Sequence, residues 1–180
     1  VGCPVLAAAA CRELAYVEFL RGRYERAQVW LHRAASLAEG DHAEQARIAI
    51  VHGSTLSDTA HYPQAVEMLR SAASQAGAAG DTRQVAYAMS MAGRALLLCG
   101  ELEGATALLD ESLALAQTGW TAFVPWPQSL RAEVDLMLDH VDTAAERFEH
   151  AFALGCQLDD PCWEGIAGRG LARVAMVRGE

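Results

Sequence analysis

Four segments of this chain can be laid on one template, and that repetition limits its possible folds more than any other feature. They are RGRYERAQVWLHRAASL (21–37), TAHYPQAVEMLRSAASQ (59–75), CGELEGATALLDESLAL (99–115) and LDHVDTAAERFEHAFAL (138–154). Their seventh column is Ala27, Ala65, Ala105 and Ala144, at intervals of 38, 40 and 39 residues. The fourth column is Tyr24, Tyr62, Leu102 and Val141, and the eleventh is Leu31, Leu69, Leu109 and Phe148. Columns three, four and seven apart share one face of an α-helix, so each segment is predicted to be a helix with a common apolar stripe. A fixed period of this length is the mark of stacked repeats, each too small to bury its own core.

A second helical segment precedes each templated one, with apolar and small residues again three and four apart, as in Leu14, Ala15 and Glu18 or Met89, Ala92, Gly93 and Leu96. Ala15, Gly53, Gly93 and Ala132 fall in one column, where two helices could approach closely. The punctuation repeats as well. Helices tend to stop at a left-handed Gly and start at a side chain that caps free N–H groups. The junctions Gly40-Asp41, Gly80-Asp81, Gly119-Trp120 and Asp159-Asp160 stand 40, 39 and 40 residues apart. The expected fold is therefore all-α: one domain of antiparallel helix pairs over about 4–40, 41–80, 81–119 and 120–159, with the first helix of a fifth pair over 160–180. Gly179-Glu180 repeats the phase of Gly100-Glu101, so the chain is expected to be a fragment stopping where another helix would begin.

The stretch LDDPCWEG (158–165) admits a chemical reading, because a cysteine beside a tryptophan resembles the setting of a cysteine-protease nucleophile. Its place on the junction grid gives a simpler one. Asp160 serves as an N-cap, Pro161 takes the first helical position where its missing N–H costs nothing, and Cys162 and Trp163 fall in the first turn. Activation of Cys162 needs a base within hydrogen-bond reach, which the sequence does not identify. Among three readings of the chain, an enzyme using Cys162 ranks last.

Composition removes further classes. The net charge is −9 over 180 residues, against the clustered cations a nucleic-acid surface requires, so no direct nucleic-acid binding is expected. All 14 cationic residues are Arg, so there is no Lys for a Schiff base or a phosphate loop. No apolar run approaches the eighteen or so residues of a membrane span, and none is expected. The opening VGCPVLAAAAC lacks a positive region before its apolar one and reads as a buried helix. Cys3, Cys11, Cys99, Cys156 and Cys162 form no C-x-x-C pair and are expected to be reduced, small core residues of a cytoplasmic protein. The six histidines share no i, i+3 or i, i+4 spacing, so no metal site or other cofactor is expected. Asp110-Glu111 and Asp159-Asp160 read as solvated faces and caps. In FVPWPQS (123–129), Pro127 is the expected helix start, with Trp126 over an inter-repeat seam.

These residues resemble tetratricopeptide repeats. Gly53, Tyr62, Ala65, Leu69 and Ala72, or Gly93, Gly100, Ala105 and Leu109, follow that family's small, aromatic, Ala, large, Ala pattern, although the period is longer and the family's Trp and final Pro are mostly absent. The longer form is similar to the repeat region of large bacterial signal-transducing regulators, the ATP-dependent LuxR-type activators related to the maltose activator and to Streptomyces antibiotic regulators. WPQSLRAEVDL and DPCWEGIAGRGLA add to that likeness, and richness in Ala, Gly and Arg suggests an actinobacterial source. The resemblance implies a right-handed α-α superhelix whose first helices line a concave surface, and a non-catalytic sensing or interaction module for transcription regulation. Carried over by column, that surface is Arg12, Tyr16, Arg47, Ser54, Tyr87, Ser90, Arg94, Ser129, Glu133, Arg169 and Arg173, with Arg94, Arg169 and Arg173 the leading group. It would receive a protein or peptide partner or a small inducer, anionic or peptide-like. The alternative is an assembly scaffold without a small-molecule ligand, able to form a homo-oligomer.

Overall fold

A computed structural model describes residues 3–180 and shows nine α-helices and one short 3-10 turn, with no strand among the described residues. The helices are α1 (Pro4–Leu20), α2 (Tyr24–Leu37), α3 (His42–Asp58), α4 (Tyr62–Ala78), α5 (Thr82–Cys99), α6 (Leu102–Gly119), α7 (Pro125–Met137), α8 (Val141–Leu158) and α9 (Pro161–Arg178). Helices α2, α4, α6 and α8 begin at the fourth template column, at Tyr24, Tyr62, Leu102 and Val141. Val1 and Gly2 of the opening stretch lie outside the described residues.

The junction chemistry sets these boundaries. The Asp41 carboxylate accepts from the Glu44 N–H, Asp81 from Gln84, and Asp160 from both Cys162 and Trp163, so each caps the helix it precedes. Gly40, Gly80 and Gly100 have φ of 84°, 74° and 86°, the left-handed conformation that ends a helix at little cost to glycine. Two expectations need correction. Gly119 is the last residue of α6 rather than a left-handed stop; a 3-10 turn over Thr121–Phe123 follows Trp120. Helix α7 starts at Pro125, not Pro127. Both prolines fit in the first turn because its N–H groups need no intrahelical partner.

Packing explains the template. Leu69, Leu109, Phe148, Ala27, Ala65, Ala105 and Ala144 are fully buried, and Leu31 nearly so. A Cβ added at Gly53 would lie 2.6 Å from Leu69 Cγ, and one at Gly93 would lie 2.7 Å from Leu109 Cγ. The small residue of one helix is thus a socket for the large residue of its pair partner. Each large side chain buried this way contributes about 1.5–3 kcal/mol.

The cysteines do not follow the expected burial. Cys11 is buried, while Cys3, Cys99, Cys156 and Cys162 are exposed. Those four lie at or within two residues of a helix end.

Candidate functional site

Helices α1, α3, α5, α7 and α9 stack side by side, and three contiguous cavities open along them. The central one, about 310 Å³, is walled by Tyr16 and Phe19 of α1, Asp58 of α3, Tyr87, Met91 and Arg94 of α5, Phe123, Trp126 of α7, and Cys162, Trp163 and Ile166 of α9. Half of its lining residues are aromatic. Phe123 stacks on Trp120 at 4.3 Å between centroids and meets the Tyr87 ring edge-on at 5.7 Å. Trp126 and Trp163 lie 6.0 Å apart. Helices α1 and α9, the first and last, face each other across this cavity.

A second cavity of about 540 Å³ shares Arg94, Trp126 and Ile166 with the first and adds Ser129, Glu133, Met137, Arg169 and Arg173. The third, about 190 Å³, lies toward the other end and contains Arg12, Tyr16, Arg47, Tyr87 and Trp120. Nine of the eleven residues expected on the concave face therefore line one continuous groove. Ser54 and Ser90 do not. Both are buried, and their hydroxyls donate to the Ile50 and Tyr87 carbonyls. Each lies on the flank of its helix that packs into the stack.

The arginines of this face are each paired with a carboxylate, Arg169 most loosely. Arg12 Nε donates to Glu44 at 2.7 Å, Arg47 Nη2 to Asp81 at 2.8 Å, and Arg94 Nη1 to Asp58 at 2.6 Å. Arg169 lies 3.9 Å from Glu133, and Arg173 also pairs with Glu133. Every one of these bridges joins neighbouring helices of the groove wall. An arginine committed in this way is a strut before it is a ligand anchor, since a ligand must compete with its carboxylate.

Asp58 is the hub of the central cavity. It accepts from Arg94 and, at 3.3 Å, from the Tyr24 hydroxyl. Burial first, and the Asp58 charge second, raise the Tyr24 pKa. Burial, reinforced by the neighbouring Tyr16 phenol, raises Tyr87 well above its ordinary value. Both phenols stay protonated at neutral pH and act only as neutral hydrogen-bonding groups. At Asp81 desolvation opposes ionisation, but the Arg47 guanidinium and the Gln84 N–H outweigh it and hold the carboxyl below its usual pKa. No His lines any of the three cavities, and among the described residues no group of His, Cys, Asp and Glu is arranged to hold a metal ion.

Sequence reasoning missed Phe19, Asp58, Met91, Phe123, Trp163 and Ile166 as cavity residues. A signal for three of them was present. Phe19 lies three residues after Tyr16, Met91 four after Tyr87 and Ile166 three before Arg169. Each extends an already chosen helical face by one turn.

No protein-family model and no curated protein sequence matches the chain. Solved structures do. The chain superposes on the crystal structure of aspartyl phosphate phosphatase F from Bacillus subtilis with a TM-score of 0.80 at 12% identity, over 99% of this chain and 51% of that one. It superposes on the apo form of RapI with a TM-score of 0.75 at 15% identity, over 87% of this chain and 58% of that one. The fold is thus of the tetratricopeptide-like helical-repeat class. The chain spans roughly half the length of these two structures.

Proposed function

We propose that this chain is a non-catalytic sensing module, which receives a partner protein, a peptide or a small inducer in the groove formed by its odd-numbered helices. The observation that carries this reading is the central cavity, where an aromatic lining joins α1 to α9. Apolar concave pockets with a few fixed polar groups are the usual form of a binding site. A ligand touching both ends of the stack binds one curvature of the superhelix better than others. Differential affinity of that kind shifts a conformational population and passes a signal to attached modules. Against catalysis, the cavity contains one thiol, Cys162, and its one carboxylate, Asp58, is held by Arg94 and Tyr24.

The finer assignment, a repeat region of an ATP-dependent LuxR-type transcriptional regulator of actinobacterial origin, rests on the resemblance of WPQSLRAEVDL and DPCWEGIAGRGLA. In such a parent protein, nucleotide and DNA would be bound outside these residues. That division suits a stretch whose net charge is −9. A second reading, an assembly scaffold, is favoured by apolar side chains left open on the outer helices: Leu6 of α1 at 71% exposure, and Met176 and Val177 of α9 at 78% and 60%.

The test is a thermal-shift screen with sugars, nucleotides, short peptides and candidate partner domains. A ligand at a hundred times its Kd adds about 2.7 kcal/mol of stability. Ile166→Trp, which fills the wall shared by the two larger cavities, should abolish the shift. Stabilisation that survives this substitution refutes the groove as the site. A silent screen together with concentration-dependent self-association favours the scaffold.

A further inference from the structure

We infer that the two larger cavities form one bipartite site for a small amphiphilic carboxylate, with its aromatic or branched apolar body in the central chamber and its carboxylate beside Arg169 in the second. The inference rests on the groove being the binding face, and adds the class of ligand.

The central chamber has an aromatic wall and no free charge, because Asp58 and Arg94 satisfy each other and Tyr24 completes the set. It suits an uncharged apolar group. A charged end of the same molecule must lie elsewhere, and the second chamber begins at the shared residues Arg94, Trp126 and Ile166. There the charges do not balance. Arg169 and Arg173 share the single carboxylate of Glu133, which leaves one cation in excess, and Arg169 is 70% exposed at 3.9 Å from its partner. In a chain of net charge −9 this local excess attracts an anion and orients it.

The wall itself gives a second sign. Trp126 Nε1 and Ser129 Oγ, one turn apart on α7, have no hydrogen-bond partner among the described residues, and Ser129 is only 2% exposed. Buried polar atoms are almost always paired in folded proteins, so two adjacent orphans need an explanation. A carboxylate oxygen accepts from both an indole N–H and a hydroxyl. The Trp126 ring lines both chambers, which makes its fluorescence a reporter of a ligand there.

The walls are built from helices, whose backbone N–H and C=O groups are consumed internally, so polar recognition falls to side chains such as Arg169 and Ser129. A molecule with one polar end needs few of them. The combined space falls within the range of small-molecule sites.

The experiment titrates the full chain with 4-phenylbutyrate and with its neutral amide, 4-phenylbutyramide, by calorimetry and tryptophan fluorescence. The expected result is one saturable site for the acid, at least tenfold weaker binding of the amide, and weakening of the acid alone as salt rises. Arg169→Gln, at an exposed position that does not threaten folding, should weaken the acid about tenfold and leave the amide unchanged; Arg169→Lys should restore most of the loss. Glu133→Gln frees both arginines and should tighten the acid severalfold, a gain that a purely structural role for Glu133 does not produce. Equal binding of acid and amide, or indifference of the acid to Arg169→Gln, overturns the ligand class. If neither probe binds but another ligand stabilises the chain in an Ile166→Trp-sensitive way, the class is wrong and the groove reading stands. If no ligand shows that sensitivity, both fail.

Discussion

Two glycines five residues apart on α9 separate helix propensity from packing, and so test the small-against-large template directly. At Gly165 no atom lies within 4 Å of an added Cβ and the site is exposed. Gly165→Ala should therefore show only the propensity gain of an interior helical position, about 0.5–1 kcal/mol. At about 2–4 °C per kcal/mol for a chain of this size, the midpoint should rise by roughly 1–4 °C. At Gly170 the same methyl would lie 2.2 Å from Phe148 Cε1, 2.3 Å from Cδ1 and 2.5 Å from Cζ. Phe148 is fully buried in the template's eleventh column, so the ring has little room to retreat. Overpacking of this kind costs about 1–3 kcal/mol. Propensity cancels between the two variants, and Gly170→Ala should melt below Gly165→Ala by the packing cost alone, roughly 2–12 °C. The assay is paired thermal and urea unfolding of the two variants. Phe148→Leu, the residue this column carries at 31, 69 and 109, should recover much of the loss in the Gly170→Ala background. The resulting double-mutant cycle should give a coupling of about 1 kcal/mol or more. Equal stabilisation by both alanines, or zero coupling to Phe148, refutes the socket as the reason for the small column.

Three further outcomes follow from particular contacts. Asp160→Ala removes the carboxylate that accepts from the Cys162 and Trp163 N–H groups, and should cost about 0.5–2 kcal/mol, with tryptophan emission reporting the displaced Trp163; an unchanged midpoint would show that the cap does not hold α9. Asp135 is buried between Arg131 and Arg147 of α7 and α8, so Asp135→Ala should cost about 2 kcal/mol by chemical denaturation, below the roughly 3–5 of a fully buried pair because Arg147 is partly solvated. Burial first, and His32 second, lower the pKa of His52. The unfolded chain then binds the proton more readily, so stability should fall as pH drops from the ordinary histidine pKa near 6.5 through the lowered one; calorimetry should show a flatter pH dependence for His52→Gln across that window.

The fold was legible because its determinants are periodic and local. Asp41, Asp81 and Asp160 cap helices, as their junction positions predict, and Leu69 against Gly53 or Leu109 against Gly93 can be read from column spacing alone. The turn between α6 and α7 was less legible, since Trp120, Phe123 and Trp126 fix it through ring packing rather than through a cap or a left-handed glycine. The residues on the groove could be chosen by column, but their charge state could not. Arg12 meets Glu44 across 32 residues, Arg47 meets Asp81 across 34 and Arg94 meets Asp58 across 36. Those separations fall short of the repeat interval, and Arg94 pairs backward along the chain while Arg12 and Arg47 pair forward, so the period does not name the carboxylate that occupies each arginine.

The arrangement of these ion pairs shows where a ligand would have mechanical effect. Arg12 with Glu44 ties α1 to α3, Arg47 with Asp81 and Arg94 with Asp58 tie α3 to the start and the body of α5, and Arg169 and Arg173 with Glu133 tie α9 to α7. Among the described residues no such pair ties α5 to α7, where lateral packing between successive odd-numbered helices is also thinnest. Trp126 fills that seam instead, in contact with three of the core clusters. The two larger cavities meet at this residue. The joint between α1–α6 and α7–α9 is crossed by one ion pair among the described residues, Arg131 of α7 with the half-exposed Asp110 of α6 at 3.1 Å. Segments with few packed contacts rearrange at least cost, so a molecule spanning both chambers would add contacts where the odd-numbered helices are least tied to each other. Its binding energy would then act on the angle between α1–α6 and α7–α9 against a single solvent-screened pair.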